Sequence, residues 1–163
     1  MPPVSTFKAT RRNLPHWQQP GCTYFLTWCV PNLVLDPEDR TITLKSILFW
    51  DTQRWDVYSV VVMPDHVHLL AHPRLIEATL PERFHDLSEI LHSVKSYTSH
   101  RINARHGRSG CVWQDETYDR IIRDEDEFEE KWQYNRTNPV KAGLVAQPEE
   151  YPWLYEAMIS RLA

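Results

Sequence analysis

The run Val60-Val61-Val62-Met63-Pro64-Asp65-His66-Val67-His68-Leu69-Leu70 constrains this chain more than any other segment. Its β-branched and apolar residues favour extended backbone, and Pro64-Asp65 breaks it with turn chemistry. Residues from Trp55 to Met63 therefore read as one strand and His66 to His72 as the next. A strand turns alternate side chains to opposite faces, so both imidazoles of His66 and His68 point the same way. Two titratable rings on an otherwise Val/Leu strand cost desolvation unless their nitrogens find partners. Backbone carbonyls can supply those partners; so can one shared cation, for which neutral imidazole is a common ligand.

The rest of the chain bounds what such a strand pair can belong to. With 163 residues, 42% hydrophobic and 12% aromatic, there is enough apolar mass for a sizeable core, and a single domain over 1–163 is expected, with a basic arm at 1–20 and a tail at 147–163. Pro64, Asp65, His66 and His68 interrupt the longest apolar stretch, which excludes a membrane span, and Met1 to Thr10 lacks the apolar core of a secretory signal. A cytoplasmic protein follows as the expectation. Cys22, Cys29 and Cys111 are widely spaced, without a C-x-x-C pair, which suits reduced thiols. The formal net charge of -4 gives no warrant for nucleic-acid binding by composition. Distribution says more, because acids crowd into Asp115 to Glu130 while Arg11, Arg12, Lys95, Arg101 and Arg105 fall before or between them.

Aromatic and β-branched residues bounded by Pro20-Gly21 and Pro31-Asn32 predict a first strand at Cys22 to Val30. Pro37 to Trp50 reads as a first helix, and Pro81 to Arg105 as a long amphipathic one, on the spacing of Leu87, Ile90, Leu91, Val94, Thr98 and Ile102. A short strand lies within Val112 to Arg123. Asp124 with Glu127 resembles a capping box opening a helix from Glu125 to Thr137, which Asn138-Pro139 should end. The order β-α-β-β-α-β predicts an α+β fold: a ferredoxin-like antiparallel sheet with helices packed on it, followed by an additional C-terminal helix. The tail, with Tyr151, Trp153 and Tyr155, should pack its aromatics back on the body.

On that last helix Phe128 and Trp132 define the expected packing line, and Tyr134 and Asn138, four apart, share a neighbouring one. Two imidazoles with one amide oxygen would leave a divalent cation open positions for a phosphodiester. A tyrosine one turn away could attack phosphorus, although a phenol's pKa of about 10 demands nearby positive charge.

These blocks, together with Tyr24-Phe25-Leu26-Thr27, Val112-Trp113-Gln114, Tyr118-Asp119-Arg120-Ile121-Ile122-Arg123-Asp124 and Asn138-Pro139-Val140-Lys141-Ala142-Gly143, resemble the HUH single-tyrosine transposases, most closely their REP-associated tyrosine transposase branch. The resemblance implies an HUH nuclease fold that cuts single-stranded DNA beside a palindromic hairpin, leaving a 5'-phosphotyrosine. It implies Tyr134 as nucleophile and His66, His68 and Asn138 as ligands of Mg2+ or Mn2+, in a monomer or homodimer. Arg11, Arg12, Lys95, Arg101 and Arg105 are the candidate DNA contacts. The family shows mostly apolar residues where this chain has Asn135, Arg136 and Thr137, so those polar side chains could also reach DNA. Tyr118 is a rival nucleophile, without a ligand-type residue one turn away. Two other readings stay open: a host-retained hairpin-binding protein with little cleavage, and a metal-dependent hydrolase that uses water.

Overall fold

Strand β3, Tyr24–Cys29, turns successive side chains to opposite faces of the sheet, and that alternation divides the molecule into two layers. Tyr24, Leu26 and Trp28 are buried in the main core, whereas Phe25, Thr27 and Cys29 face the other way. The computed structural model describes residues 8–12, 14–77 and 81–158. Helix α1, Pro37–Phe49, follows β3; the hairpin β4, Trp55–Val62, and β5, His66–Pro73, comes next. Helix α2, Leu87–His106, strand β8, Tyr118–Ile121, and helix α3, Glu125–Lys141, continue the chain, and β9, Leu154–Glu156, closes it. The strands form an antiparallel sheet in the order β8-β3-β5-β4-β9. The first four in that order are a ferredoxin-like sheet, as the sequence predicted, so the fold is α+β with helices packed on an antiparallel sheet.

One face of the sheet meets α1 and α2. Ile47, Leu87, Ile90, Leu91, Val94 and Ile102 pack there against Leu26, Trp28, Val60, Val62, Val67 and Leu69. Burying each of these aliphatic side chains stabilises the fold by about 1.5–3 kcal/mol. The threonines that weaken the helix propensity of α1 are accommodated by back-bonding: Thr41 and Thr43 donate to the carbonyls of Pro37 and Asp39. The opposite face, bearing His66 and His68, is covered in part by α3.

Three expectations are corrected and one is extended. Helix α2 starts at Leu87, capped by Asp86 accepting from the Ser88 and Glu89 N–H groups, because Arg83–Phe84 instead pairs as β7 with β6, Leu75–Glu77. The 1–20 segment is not a simple arm: β1, Lys8–Arg12, and β2, Leu14–Gln18, form a two-stranded antiparallel ladder. The tail does return its aromatics, with Tyr151 buried, and it also adds β9 to the sheet edge beside β4. Finally, α3 runs through Asn138-Pro139 to Lys141. Pro139 deprives the Asn135 carbonyl of its helical donor, but it is buried and the helix is docked along its length, so tertiary packing outweighs the local preference.

Candidate active site

His66 and His68 lie on β5 in register with Cys29 and Thr27 of β3, so the same face carries all four. The hairpin turn before them is closed by the Met63 N–H donating to the His66 carbonyl, and it is tied to the β3–α1 loop through Val30 N–H to Asp65 O and Leu35 N–H to Pro64 O. Asp65 Oδ1 sits 2.6 Å from His66 Nδ1, and Thr27 Oγ1 sits 2.7 Å from His68 Nδ1. With both Nδ1 atoms engaged, Nε2 of each ring is the atom left to bind a ligand, the usual arrangement of a metal-binding histidine and its supporting carboxylate or hydroxyl. The ring centroids are 4.6 Å apart.

His68 is buried, and Phe25 stacks on it at 5.5 Å with an 18° interplanar angle. Burial first, then the neighbouring His66 and Lys131 charges, pushes its pKa down to about 3 from 6.5, against a small upward pull from Asp65. The ring is therefore neutral near pH 7, which is the form that ligates a metal. These residues fit a divalent cation on their own chemistry.

Helix α3 brings the tyrosine to this pair. The Tyr134 ring lies 5.1 Å from His68 and 6.0 Å from Phe25, both edge-on, and the side chain is 42% exposed, open to an incoming strand. Lys131, one turn earlier, places Nζ 5.8 Å from the Tyr134 ring centroid and 5.3 Å from that of Phe25. Asn138 stands one turn beyond Tyr134, half-buried, and among the described residues no hydrogen bond engages its amide. The structure thus gathers His66, His68 and Tyr134, with Asn138 on the same helix.

What holds α3 in place differs from the expected Phe128–Trp132 line. Those rings are only partly buried, Phe128 lying edge-on to Tyr58 at 5.3 Å. The residues buried on α3 are Glu127, Asn135 and Pro139. Asn135 Nδ2 donates to the Ser59 hydroxyl and carbonyl of β4 at 3.2 and 3.4 Å. Glu127 accepts from the Arg123 N–H and from the Arg120 guanidinium, which, in that order, hold its carboxyl below the usual range. The cap is Asp124 alone, accepting from the Glu127 N–H at 2.8 Å; the Glu127 side chain turns to the arginines instead of closing the box. The idea that Asn135, Arg136 and Thr137 reach DNA is corrected: Asn135 is buried, Arg136 pairs with Glu156 and Glu149, and Thr137 bonds the Gln133 carbonyl.

The expected DNA contacts are scattered. Arg11 and Arg12 lie on β1, opposite Pro15 and Leu14 of β2. Lys95, Arg101 and Arg105 belong to α2, on the sheet face away from the histidines. Lys95 donates to the Gln114 carbonyl and Thr117 hydroxyl, burial lowering its pKa to about 8, and lines a groove of about 1120 Å3 with His92, Asn103 and Arg108. Arg101 is exposed. Arg105 pairs with Asp36 and Asp39 at the start of α1. Asp36, Asp39 and His106 also have ligand atoms within 4.8 Å of one another, but both carboxylates already pair with the Arg105 guanidinium, and the cluster clamps α1 to α2.

Sequence reasoning missed Phe25, Thr27, Asp65 and Lys131. Lys131 was legible as a residue three before Tyr134 on one helix, and Asp65 as the neighbour of His66; Phe25 and Thr27 needed the β3–β5 register.

A family model described as Transposase IS200 like matches residues 22–126, which includes both histidines and stops short of Tyr134. A REP-associated tyrosine transposase of Escherichia coli (strain K12) is 26% identical over 99 residues, 61% of this chain and 53% of that protein, so the chain matches about half the length of that relative. A solved structure of a REP-associated tyrosine transposase bound to a REP hairpin superposes with a TM-score of 0.68 at 21% identity, covering 90% of this chain and 82% of that one, a likeness of fold. No helix among the described residues is long and apolar enough to cross a membrane.

Proposed function

The chain belongs to the IS200-like transposase family, and from that membership we propose that it is a tyrosine-dependent, divalent-metal-dependent single-strand DNA endonuclease and strand transferase acting beside a hairpin. The observation that carries this reading is the Tyr134 ring lying 5.1 Å from His68, itself 4.6 Å from His66. That the structural relative is bound to a REP hairpin supports hairpin DNA as the substrate class.

Tyr134 Oη attacks the scissile phosphorus, forming the Tyr–O–P bond as the P–O3' bond breaks. The phenolic proton passes to solvent, and the departing 3' oxygen takes up a proton to leave a 3'-hydroxyl. The phosphotyrosine keeps the ester bond energy, so a 3'-hydroxyl can later reverse the step on another strand without a nucleotide cofactor. His66, His68 and Asn138 would hold Mg2+ or Mn2+, which when bound would supply Lewis-acid polarisation of the phosphate. Asp65 and Thr27 orient the two imidazoles, and Phe25 fixes the plane of His68. Lys131 contributes positive charge where the phenolate and phosphate meet.

Incubation of the wild type and Tyr134→Phe with end-labelled hairpin DNA and Mg2+ or Mn2+, followed by a denaturing gel, tests the reading. A covalent band is expected from the wild type alone. A band that survives in Tyr134→Phe refutes the nucleophile, and cut product without any band points to water as the attacking group.

A further inference from the structure

Tyr118 takes no part in the chemistry above, yet the sheet places it beside the site. It is opposite Thr27 across the β8–β3 ladder, and Thr27 is opposite His68 across the β3–β5 ladder. Directly opposed residues of antiparallel strands share a face, and the Thr27–His68 hydrogen bond shows which face it is. Tyr118, Thr27 and His68 thus form one row across three strands. Strand spacing sets Tyr118 roughly 10 Å from His68. The side chain between them is a threonine, too small to wall one off from the other.

Two further facts distinguish Tyr118 from an incidental surface tyrosine. Arg120, next on the same face and opposite Phe25, flanks Tyr118 and is itself anchored by Glu127 of α3. The Tyr118 side chain is 54% exposed beside that anchored guanidinium. A large aromatic side chain with only two rotatable torsions loses little freedom on binding. Bases of single-stranded DNA stack on such rings largely without regard to sequence.

We propose that Tyr118 is a stacking shelf for a base of the single strand flanking the cleavage site. This rests on the reading of the His66–Tyr134 face as a single-strand cleavage site. The strand runs from the histidine pair over Thr27 to the sheet edge, where the β8 ring holds it. The role assigned to Tyr118 needs its ring and not its hydroxyl.

The test uses the full chain as wild type, Tyr118→Phe and Tyr118→Ala. The probes are oligodeoxythymidine, and a hairpin with an oligodeoxythymidine flank, each carrying 2-aminopurine at successive flank positions. Wild type and Tyr118→Phe should quench the fluorophore at one position and bind alike. Tyr118→Ala should lose the quench and bind about tenfold or more weakly, with an unchanged melting temperature. Binding and quenching in Tyr118→Ala equal to wild type would overturn the proposal, as would absence of wild-type binding to both probes. Loss of the covalent adduct in Tyr118→Phe would also overturn it, since the hydroxyl would then be the needed group. Quenched binding without any wild-type adduct refutes the cleavage reading while supporting the shelf.

Discussion

Acid should destabilise this fold through His68 in a way that a single substitution removes. Burial, His66 and Lys131 keep the folded-state pKa of His68 near 3, against 6.5 when exposed. A group whose folded pKa is depressed gives stability that is fully present above its unfolded pKa and lost as pH falls toward the folded one. The window is therefore about pH 6.5 down to about pH 3. Each pH unit inside it costs about 1.4 kcal/mol, so about 2 kcal/mol is gone by about pH 5. That figure holds for any folded pKa below about 4, because only the unfolded state titrates above that point. Urea unfolding with a chelator present, at about pH 7.5 and about pH 5, measures it in wild type and His68→Gln. Wild type should lose about 2 kcal/mol more than the variant across that interval, the other titrating groups cancelling in the difference. Equal losses in the two proteins would refute the assignment of His68 as a buried neutral imidazole. The same neutrality leaves its Nε2 lone pair free for a cation across the physiological range.

Mn2+ at 100 times its Kd should stabilise the wild type by about 2.7 kcal/mol in thermal melts. The increment should vanish in His66→Ala and persist in Asp39→Asn; the reverse pattern would move the metal to the Asp36–Asp39–His106 cluster. Lys131→Met should slow covalent adduct formation on hairpin DNA by about tenfold at neutral pH. Because the affected charge is beside the phenol, the deficit should shrink as pH rises, and a flat ratio across pH argues against that role. Tyr151→Phe removes a buried donor 2.7 Å from the Val62 carbonyl and an acceptor of the Arg40 guanidinium. It should cost about 1–1.5 kcal/mol, a fall in melting temperature of roughly 2–6 °C, with adduct formation unchanged.

The sequence by itself determined the strands and helices whose signals are local. Aromatic and β-branched residues between Pro20-Gly21 and Pro31-Asn32, and the apolar run around His66 and His68, specified β3, β4 and β5, because such residues favour extended backbone locally. The period of a strand placed both histidines on one face, and helical spacing put Lys131 one turn before Tyr134 and Asn138 one turn after it. The N-cap at Asp124 was legible for the same reason.

Tertiary structure decided what depends on residues distant in the chain. The register that opposes Thr27 to His68 on one side and Tyr118 on the other is a property of strand pairing, and no local pattern encodes it. The docking of α3 rests on buried Asn135 and Glu127, polar residues that hydrophobic periodicity assigns to solvent; only their partners Ser59, Arg120 and Arg123 make burial favourable. Continuation of α3 through Pro139 reflects the same contest, with packing along the sheet outweighing a local helix stop. Arg105, which by charge alone could serve DNA, is claimed by Asp36 and Asp39, residues far away in sequence and adjacent in the fold. Local chemistry chose the reacting groups; long-range pairing chose which of them meet.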